Sequence, residues 1–205
     1  MDIIKPNIEW RERLIPLDLK KVDGIALHHM ASKSWNFYDV HNYHKNVNGW
    51  NGIGYNFWIG YDGKIYEGRG FNVGAGVGGH NSHVLSIGFQ GDYENQKEMP
   101  KEQFEAGVEL IRWLRTQLPN LKIINGHKYW NKTACPGKYF PLDKMILEAK
   151  KEETKMFEDA NEALNFLADK GRILDADFWR KAIVVIPNVR WLLIKWANDL
   201  IMLEK

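Results

Sequence analysis

The sequence predicts an α/β fold: a mixed central β-sheet flanked by helices, followed by a small C-terminal helical module. Three observations carry this expectation. Apolar, β-branched runs at 22–28 and 83–90 have the length of buried strands rather than of helices. Asp62-Gly63 lies between two further strand-like segments, 55–61 and 64–67, and is a strong two-residue hairpin signal. Phe104, Val108, Ile111, Leu114 and Leu118 recur at helical spacing behind Pro100. Strands interspersed with helices, one pair of them forming a hairpin, imply a mixed sheet under a helical cover.

Taken in order, Val22–His28 reads as a buried strand ending in the pair His28-His29. Phe37, Val40, His44 and Val47 then fall at i, i+3, i+7 and i+10, a helical stripe that stops at the turn Asn48-Gly49. The hairpin follows, and His83–Gln90 forms another strand that ends at Gly91-Asp92. Pro100 opens the long helix, its fixed φ suiting the first helical position. Leu121–Ile124 is a strand leading into Gly126-His127, and Pro141 begins a helix running through Leu147.

Glu148–Lys155 is dominated by Lys and Glu, the composition of a solvated helix end or linker. Beyond it, Asp159-Ala160-Asn161-Glu162 is an N-terminal capping signal, and Gly171 stops that helix. Asp175 caps a second helix containing Phe178 and Trp179. After Pro187, Asn188 caps a third, with Val189, Leu192, Leu193, Trp196 and Leu200 on one face. The expected division is therefore a domain at 1–150 and a helical module at 151–205, the latter near the lower size limit for independent folding.

With 205 residues, 44% hydrophobic and 26% charged, the chain is globular rather than disordered. A formal net charge of +2 is too small to argue for nucleic acid, though it is compatible with a polyanionic partner. No run approaches the ~18–20 apolar residues of a membrane span. The segment Met1–Asn7 lacks the apolar core of a secretory signal, so synthesis in the cytoplasm is expected.

Cys135 is the only cysteine, so no intramolecular disulfide can form. A lone cysteine is most often a small buried hydrophobe. Here it follows His127 by eight positions, and a second source of imidazole, His28-His29, lies far upstream. Two imidazoles and one thiolate leave a fourth tetrahedral position open, the arrangement of a catalytic zinc site. Spacing alone does not decide for a metal, and neighbours on a strand point to opposite faces, so only one of His28 and His29 can easily reach it.

Other motifs resolve to plainer readings. His41 and His44 stand one turn apart on a helix, but His44 lies on the apolar stripe and reads as packing. Gly74–Gly79 formally contains G-x-G-x-x-G, yet it leads to His80-Asn81 and another strand instead of opening a helix, which excludes a dinucleotide site. A thiol-protease role for Cys135 is disfavoured by Pro136, which argues against an activating helix N-terminus.

Five segments in series resemble one family. They are Arg11-Glu12-Arg13-Leu14 with Ile25–Ala31; Gly49-Trp50 through Gly54-Tyr55-Asn56-Phe57; Asp62-Gly63 through Glu67-Gly68-Arg69-Gly70; Gly79-His80-Asn81; and Gly126-His127 through Cys135-Pro136-Gly137. Together they resemble, over residues 8–147, the zinc-dependent N-acetylmuramoyl-L-alanine amidases of type 2 and the peptidoglycan recognition proteins. The resemblance implies one Zn²⁺ held by His28, His127 and Cys135, with Tyr55 and Thr133 as catalytic residues and bacterial peptidoglycan as partner. It makes Trp50, Arg69, His80 and Asn81 the substrate-binding candidates, and the reaction hydrolysis of the bond between N-acetylmuramic acid and L-alanine.

Two departures stand out. Some members carry a catalytic Glu where Gly88 or Gln90 falls here, and many have His at the position of Gly76. An endolysin or autolysin without membrane insertion is the expected setting, and a non-catalytic peptidoglycan binder is the alternative. The helical module is expected to bind the wall, with self-association into a homo-oligomer as the rival role.

Overall fold

The structure is a computed structural model that describes residues 1–151, 159–185 and 189–203. The chain divides into two compact units, Met1–Lys151 and Glu152–Lys205.

The first unit is built on one six-stranded sheet. In chain order its strands are β1 (Ile3–Ile4), β2 (Gly24–His29), β3 (Phe57–Ile59), β4 (Ile65–Glu67), β5 (Val84–Phe89) and β6 (Ile123–Gly126). They lie in the order β1-β4-β3-β5-β2-β6. β2 runs parallel to both β5 and β6, β3 parallel to β5, β1 parallel to β4, and only β3 and β4 are antiparallel. The sheet is therefore mixed, and its helical cover matches the predicted class.

Side-chain alternation along β2 and β5 separates the two faces. Ile25 and Leu27, with Leu85, Ile87 and Phe89, join the main core, where α2 (Lys101–Gln117) and α3 (Leu142–Lys150) contribute Leu110, Ile111, Leu114, Met145 and Ala149. The intervening positions are Ala26, His28, Ser86 and Gly88, small or polar residues that leave the other face thinly filled. On that side α1 (Phe37–Asn46) supplies Phe37 and Val40, packed with Ile53 and Trp58. The Asn36 side chain caps α1, accepting from Tyr38 and Asp39 N–H, while Asp39 returns a bond to the Asn36 backbone.

Several details depart from the sequence reading. The hairpin loop holds three residues, Tyr61-Asp62-Gly63, because Gly60 N–H bonds Lys64 O, and Gly63 takes φ +75°. A positive φ at the third loop position is the three-residue hairpin form, in place of the two-residue turn that Asp-Gly suggests. Pro100 is the N-cap of α2 rather than its first helical residue. Val47 closes α1 as an exposed C-cap. β6 lies two residues beyond its expected span, and β1, two residues long, is too short to leave a periodic signal.

The second unit contains α4 (Ala160–Asp169), α5 (Ala176–Val185) and α6 (Val189–Leu203). Asp159 caps α4 through Asn161 and Glu162 N–H, and Gly171 follows at φ +65°. Asp175 Oδ1 accepts from Phe178 N–H at the start of α5. Ala163, Leu164, Leu167, Ile173, Ala182, Leu193 and Ala197 form the core.

The face expected for α6 is corrected here. Val189, Leu193 and Ala197 are its buried positions, with Leu200 partly buried, whereas Leu192 and Trp196 are exposed. A spacing of four residues per step carries the stripe from Leu193 to Ala197, so the tryptophan one position earlier turns outward. The expected cap Asn188 and residues 152–155 of the charged run lie outside the described residues.

Candidate metal centre

The strand register sets the site. Leu27 of β2 pairs with Gly126 of β6 across a parallel ladder, so His28 on β2 and His127, the residue directly after β6, follow side by side. Leu27 faces the core and His28 therefore faces the opposite side, where it is 2% exposed. His127 begins a single 3-10 turn, His127–Tyr129, directly after β6. The chain then loops back, and Lys128 N–H bonds Cys135 O at 2.9 Å, holding the cysteine against the start of its own loop.

Among the described residues, His28, His127 and Cys135 form the one group of His, Cys, Asp or Glu side chains placed to share an ion. Their donor atoms all lie within 4.8 Å of one another, and Cys135 Sγ is 3.7 Å from His28 Nδ1. Tetrahedral zinc bonds to nitrogen and sulfur correspond to an N–S edge of roughly 3.6 Å, so this donor set fits zinc without rearrangement of that pair.

Burial sets the protonation states. It holds His28 well below the usual imidazole range, with the neighbouring histidines His127, His29 and His44 adding to the effect. His127 is lowered by burial, opposed by its hydrogen bond to Asn131. Burial pushes the Cys135 thiol up to about 12, against a lowering contribution from the His29 backbone. Two neutral imidazoles and a thiol that gives up its proton only to a cation make a metal-ready set, not a free nucleophile.

The catalytic candidates fall beside this group. Tyr55, just ahead of β3, has its ring centroid 5.0 Å from that of His28. Burial first and the nearby Cys135 second push its phenol far above the ordinary range, so it is a proton donor at every working pH. Thr133 is exposed, and its Oγ1 accepts from Cys135 N–H at 3.2 Å, which leaves the hydroxyl proton to donate elsewhere.

The substrate candidates divide. Trp50 is exposed and its ring lies tilted 4.6 Å from that of His44, and His44 in turn lies 5.5 Å from Tyr55, giving a line of rings from the cluster to the surface. Asn81 shapes the glycine loop, its Oδ1 accepting from Val77 N–H. His80 Nδ1 faces His83 Nε2 at 3.3 Å, and His83 Nδ1 lies 2.8 Å from Asp23 Oδ1.

Arg69, expected to grip substrate, is buried instead. Its Nε donates to Ile53 O and its Nη1 to Val73 O, so the guanidinium holds neighbouring backbone together. Two carbonyls beside the Glu-Gly-Arg turn outcompete solvent for this fork of donors.

Gly88, opposite His28 in the ladder, is the β5 residue that faces Tyr55; a Cβ there would fall 2.8 Å from Tyr55 Cδ2. Gln90 turns away and accepts from Tyr61 N–H. At Gly76 a Cβ would lie 2.5 Å from Ser86 Oγ and 3.4 Å from His28 Nε2. Both of those atoms are buried without a protein partner, so the loop backbone presses directly onto the candidate ligand His28.

Sequence reasoning missed Ser86, Asn56 and Asn131. Asn56 is fully buried just ahead of β3 and ties the interior of β5 to the turn after β4, accepting from Ser86 N–H and donating to Gly70 O and Asn72 O. Its flanking aromatic and glycine residues concealed that role. Asn131 stands four residues after His127, a spacing at which one turn brings side chains together.

Comparison with known proteins agrees with this geometry. The profile of the N-acetylmuramoyl-L-alanine amidase family, Amidase_2, matches residues 18–138, more than half of the chain. The chain belongs to that family. Over 101 residues it is 41% identical to peptidoglycan-recognition protein SC1a of Drosophila melanogaster, covering 48% of this chain and 54% of that protein. It is 34% identical over 113 residues to an N-acetylmuramoyl-L-alanine amidase of Homo sapiens, covering 50% of this chain and 18% of the human protein. The chain thus spans about half the length of the first relative and much less of the second.

Among solved structures, the endolysin N-acetylmuramoyl-L-alanine amidase LysCS of Clostridium intestinale superposes with a TM-score of 0.67 at 27% identity. That alignment covers 74% of this chain and 97% of the endolysin. Among the described residues no helix is long and apolar enough to cross a membrane.

Proposed function

We propose that the protein is a zinc-dependent peptidoglycan hydrolase, an endolysin or autolysin that cleaves the amide between N-acetylmuramic acid and L-alanine. The observation that carries this reading is the convergence of Cys135 with His28 and His127, donor atoms within 4.8 Å, beside Tyr55. A chain that only recognised peptidoglycan would have no chemical need for a half-buried thiol beside two imidazoles.

Zinc held there would supply a Lewis acid that activates water near neutral pH and polarises the scissile carbonyl. The protein's own groups do the rest. His28, His127 and Cys135 would hold the ion. The Tyr55 phenol, kept protonated by burial, donates to the oxyanion that develops on the carbonyl. Thr133, on the rim, offers a second O–H to the same charge. β5 brings no carboxylate to the site, since Gly88 faces it, so no side chain of that strand relays the attacking water's proton to the leaving amine.

Trp50 lies at the outer end of the ring line and stacks on the substrate, while the Asn81 loop borders the groove with His80. The helical unit at 151–205 anchors the enzyme to the wall.

Incubation with purified bacterial wall tests the reading. New amino termini without new reducing sugars are expected. New reducing ends alone would indicate a glycosidase, and binding without release would make the protein a recognition module.

A further inference from the structure

Asn131 joins two parts of the site that are far apart in sequence. Its Oδ1 is 2.9 Å from His127 Nε2, and its Nδ2 donates to Gly78 O at 3.1 Å. The local fold presents it, because Trp130 and Asn131 N–H both bond His127 O in the turn after β6. We propose that Asn131 is a positioning residue that fixes the tautomer of His127 and ties this metal ligand to the glycine loop.

The orientation of the amide follows from its partners. Gly78 O can only accept, so it selects the NH₂ end of the Asn131 amide. The carbonyl end is then left facing His127 Nε2, and it too can only accept. Nε2 must therefore carry the imidazole proton, which leaves the lone pair on Nδ1 as the donor for an ion. In this way one backbone carbonyl, through one amide, sets which nitrogen of His127 is available. His28 receives no such support, since its Nε2 has no protein partner.

The same amide adds a tie to a glycine-rich loop whose other bonds run from Ala75 N–H to Gly54 O and from Val77 N–H to Asn81 Oδ1. Residues 74–79 contain four glycines, and at Gly78 and Gly79 an added Cβ would meet nothing within 4 Å. That stretch leads to His80 and Asn81. The Asn131 amide thus places the loop bordering the groove and the ligand His127 under one constraint.

Two variants separate the two bonds. Asn131→Ala removes both. Asn131→Asp keeps an acceptor for Nε2–H but has no donor for Gly78 O. In the metal-free wild type at mildly alkaline pH, ¹⁵N NMR should find His127 as the Nε2–H tautomer. Asn131→Asp should retain it, and Asn131→Ala should show a mixture. Competition with a chromophoric chelator should show zinc affinity falling by about 10–100-fold in Asn131→Ala and holding in Asn131→Asp. Amide exchange at Gly78 and Gly79 should quicken in both variants.

A single Nε2–H tautomer with wild-type zinc affinity in Asn131→Ala would overturn the proposal, as would an Nδ1–H tautomer in the wild type. The affinity measurement rests on the amidase reading, while the tautomer measurement does not. If the wild type binds no zinc yet shows the expected tautomers, the hydrolase reading fails and the positioning role of Asn131 stands.

Discussion

Acidification from about pH 7 to about pH 4.5 acts on this fold through His44, with a size that can be worked out. The imidazole is buried, its Nδ1 accepts from Gly54 N–H at 3.1 Å, and its ring packs between Trp50 and Tyr55. Burial, then the charge of Arg69 and then that of His41, lower its pKa from 6.5 to about 4. The unfolded chain therefore takes up a proton near pH 6.5 while the folded chain does not until about pH 4. Stability is complete above the unfolded value and is lost as pH falls through the window between the two. Over the interval named, this one group costs about 2 kcal/mol.

Urea unfolding of the metal-free wild type and of His44→Gln at both pH values measures it. The variant starts less stable near neutrality, because it loses ring packing. Its acid-induced loss should nevertheless be smaller than that of the wild type by about 2 kcal/mol. The helical unit contributes equally to both proteins and cancels in the difference. His28, His29, His41 and His127 are also lowered and steepen the acid loss in both. Equal acid-induced losses in the two proteins would refute the reasoning for His44.

Gly137 sits at φ +97°, and a Cβ there would lie 2.4 Å from the Tyr93 carbonyl carbon. Gly137→Ala should destabilise by about 3 kcal/mol and lower zinc content, because Cys135 two residues upstream must shift; wild-type urea midpoint and metal content would contradict this. Ending the chain after Lys151 should preserve zinc binding and cleavage of soluble muropeptides yet weaken lysis of intact cells. Undiminished lysis would remove the anchoring role, and a change from dimer to monomer would assign the helical unit to self-association instead.

What the sequence showed and what it hid have physical reasons. β2 and β5 were legible because strands buried on both faces read as continuous apolar runs, and α1 and α2 because their stripes keep helical spacing. The convergence of His28 with His127 was not legible from spacing. It depends on the β2–β6 register, a contact between residues about a hundred positions apart, and resemblance to a family stood in for it. Arg69 was misjudged because a conspicuous charge in a glycine turn gives no hint of the two carbonyls that capture it. On α6, Trp196 was placed on the inner face by its helical spacing from Leu192, Leu193 and Leu200, whereas the close-packed stripe passes through the smaller Ala197.

The central claim is that Cys135, with His28 and His127, holds the zinc on which hydrolysis depends. The most direct measurement is metal content and wall-lytic rate of Cys135→Ser beside the wild type, each after chelation and again after zinc is restored. A neutral hydroxyl is a far poorer zinc ligand than a thiolate, so the variant should remain folded, carry little zinc and release almost no amino termini under any condition. The wild type should lose activity with chelator and regain it with zinc. Undiminished release of amino termini by a metal-free, folded Cys135→Ser protein would contradict the account.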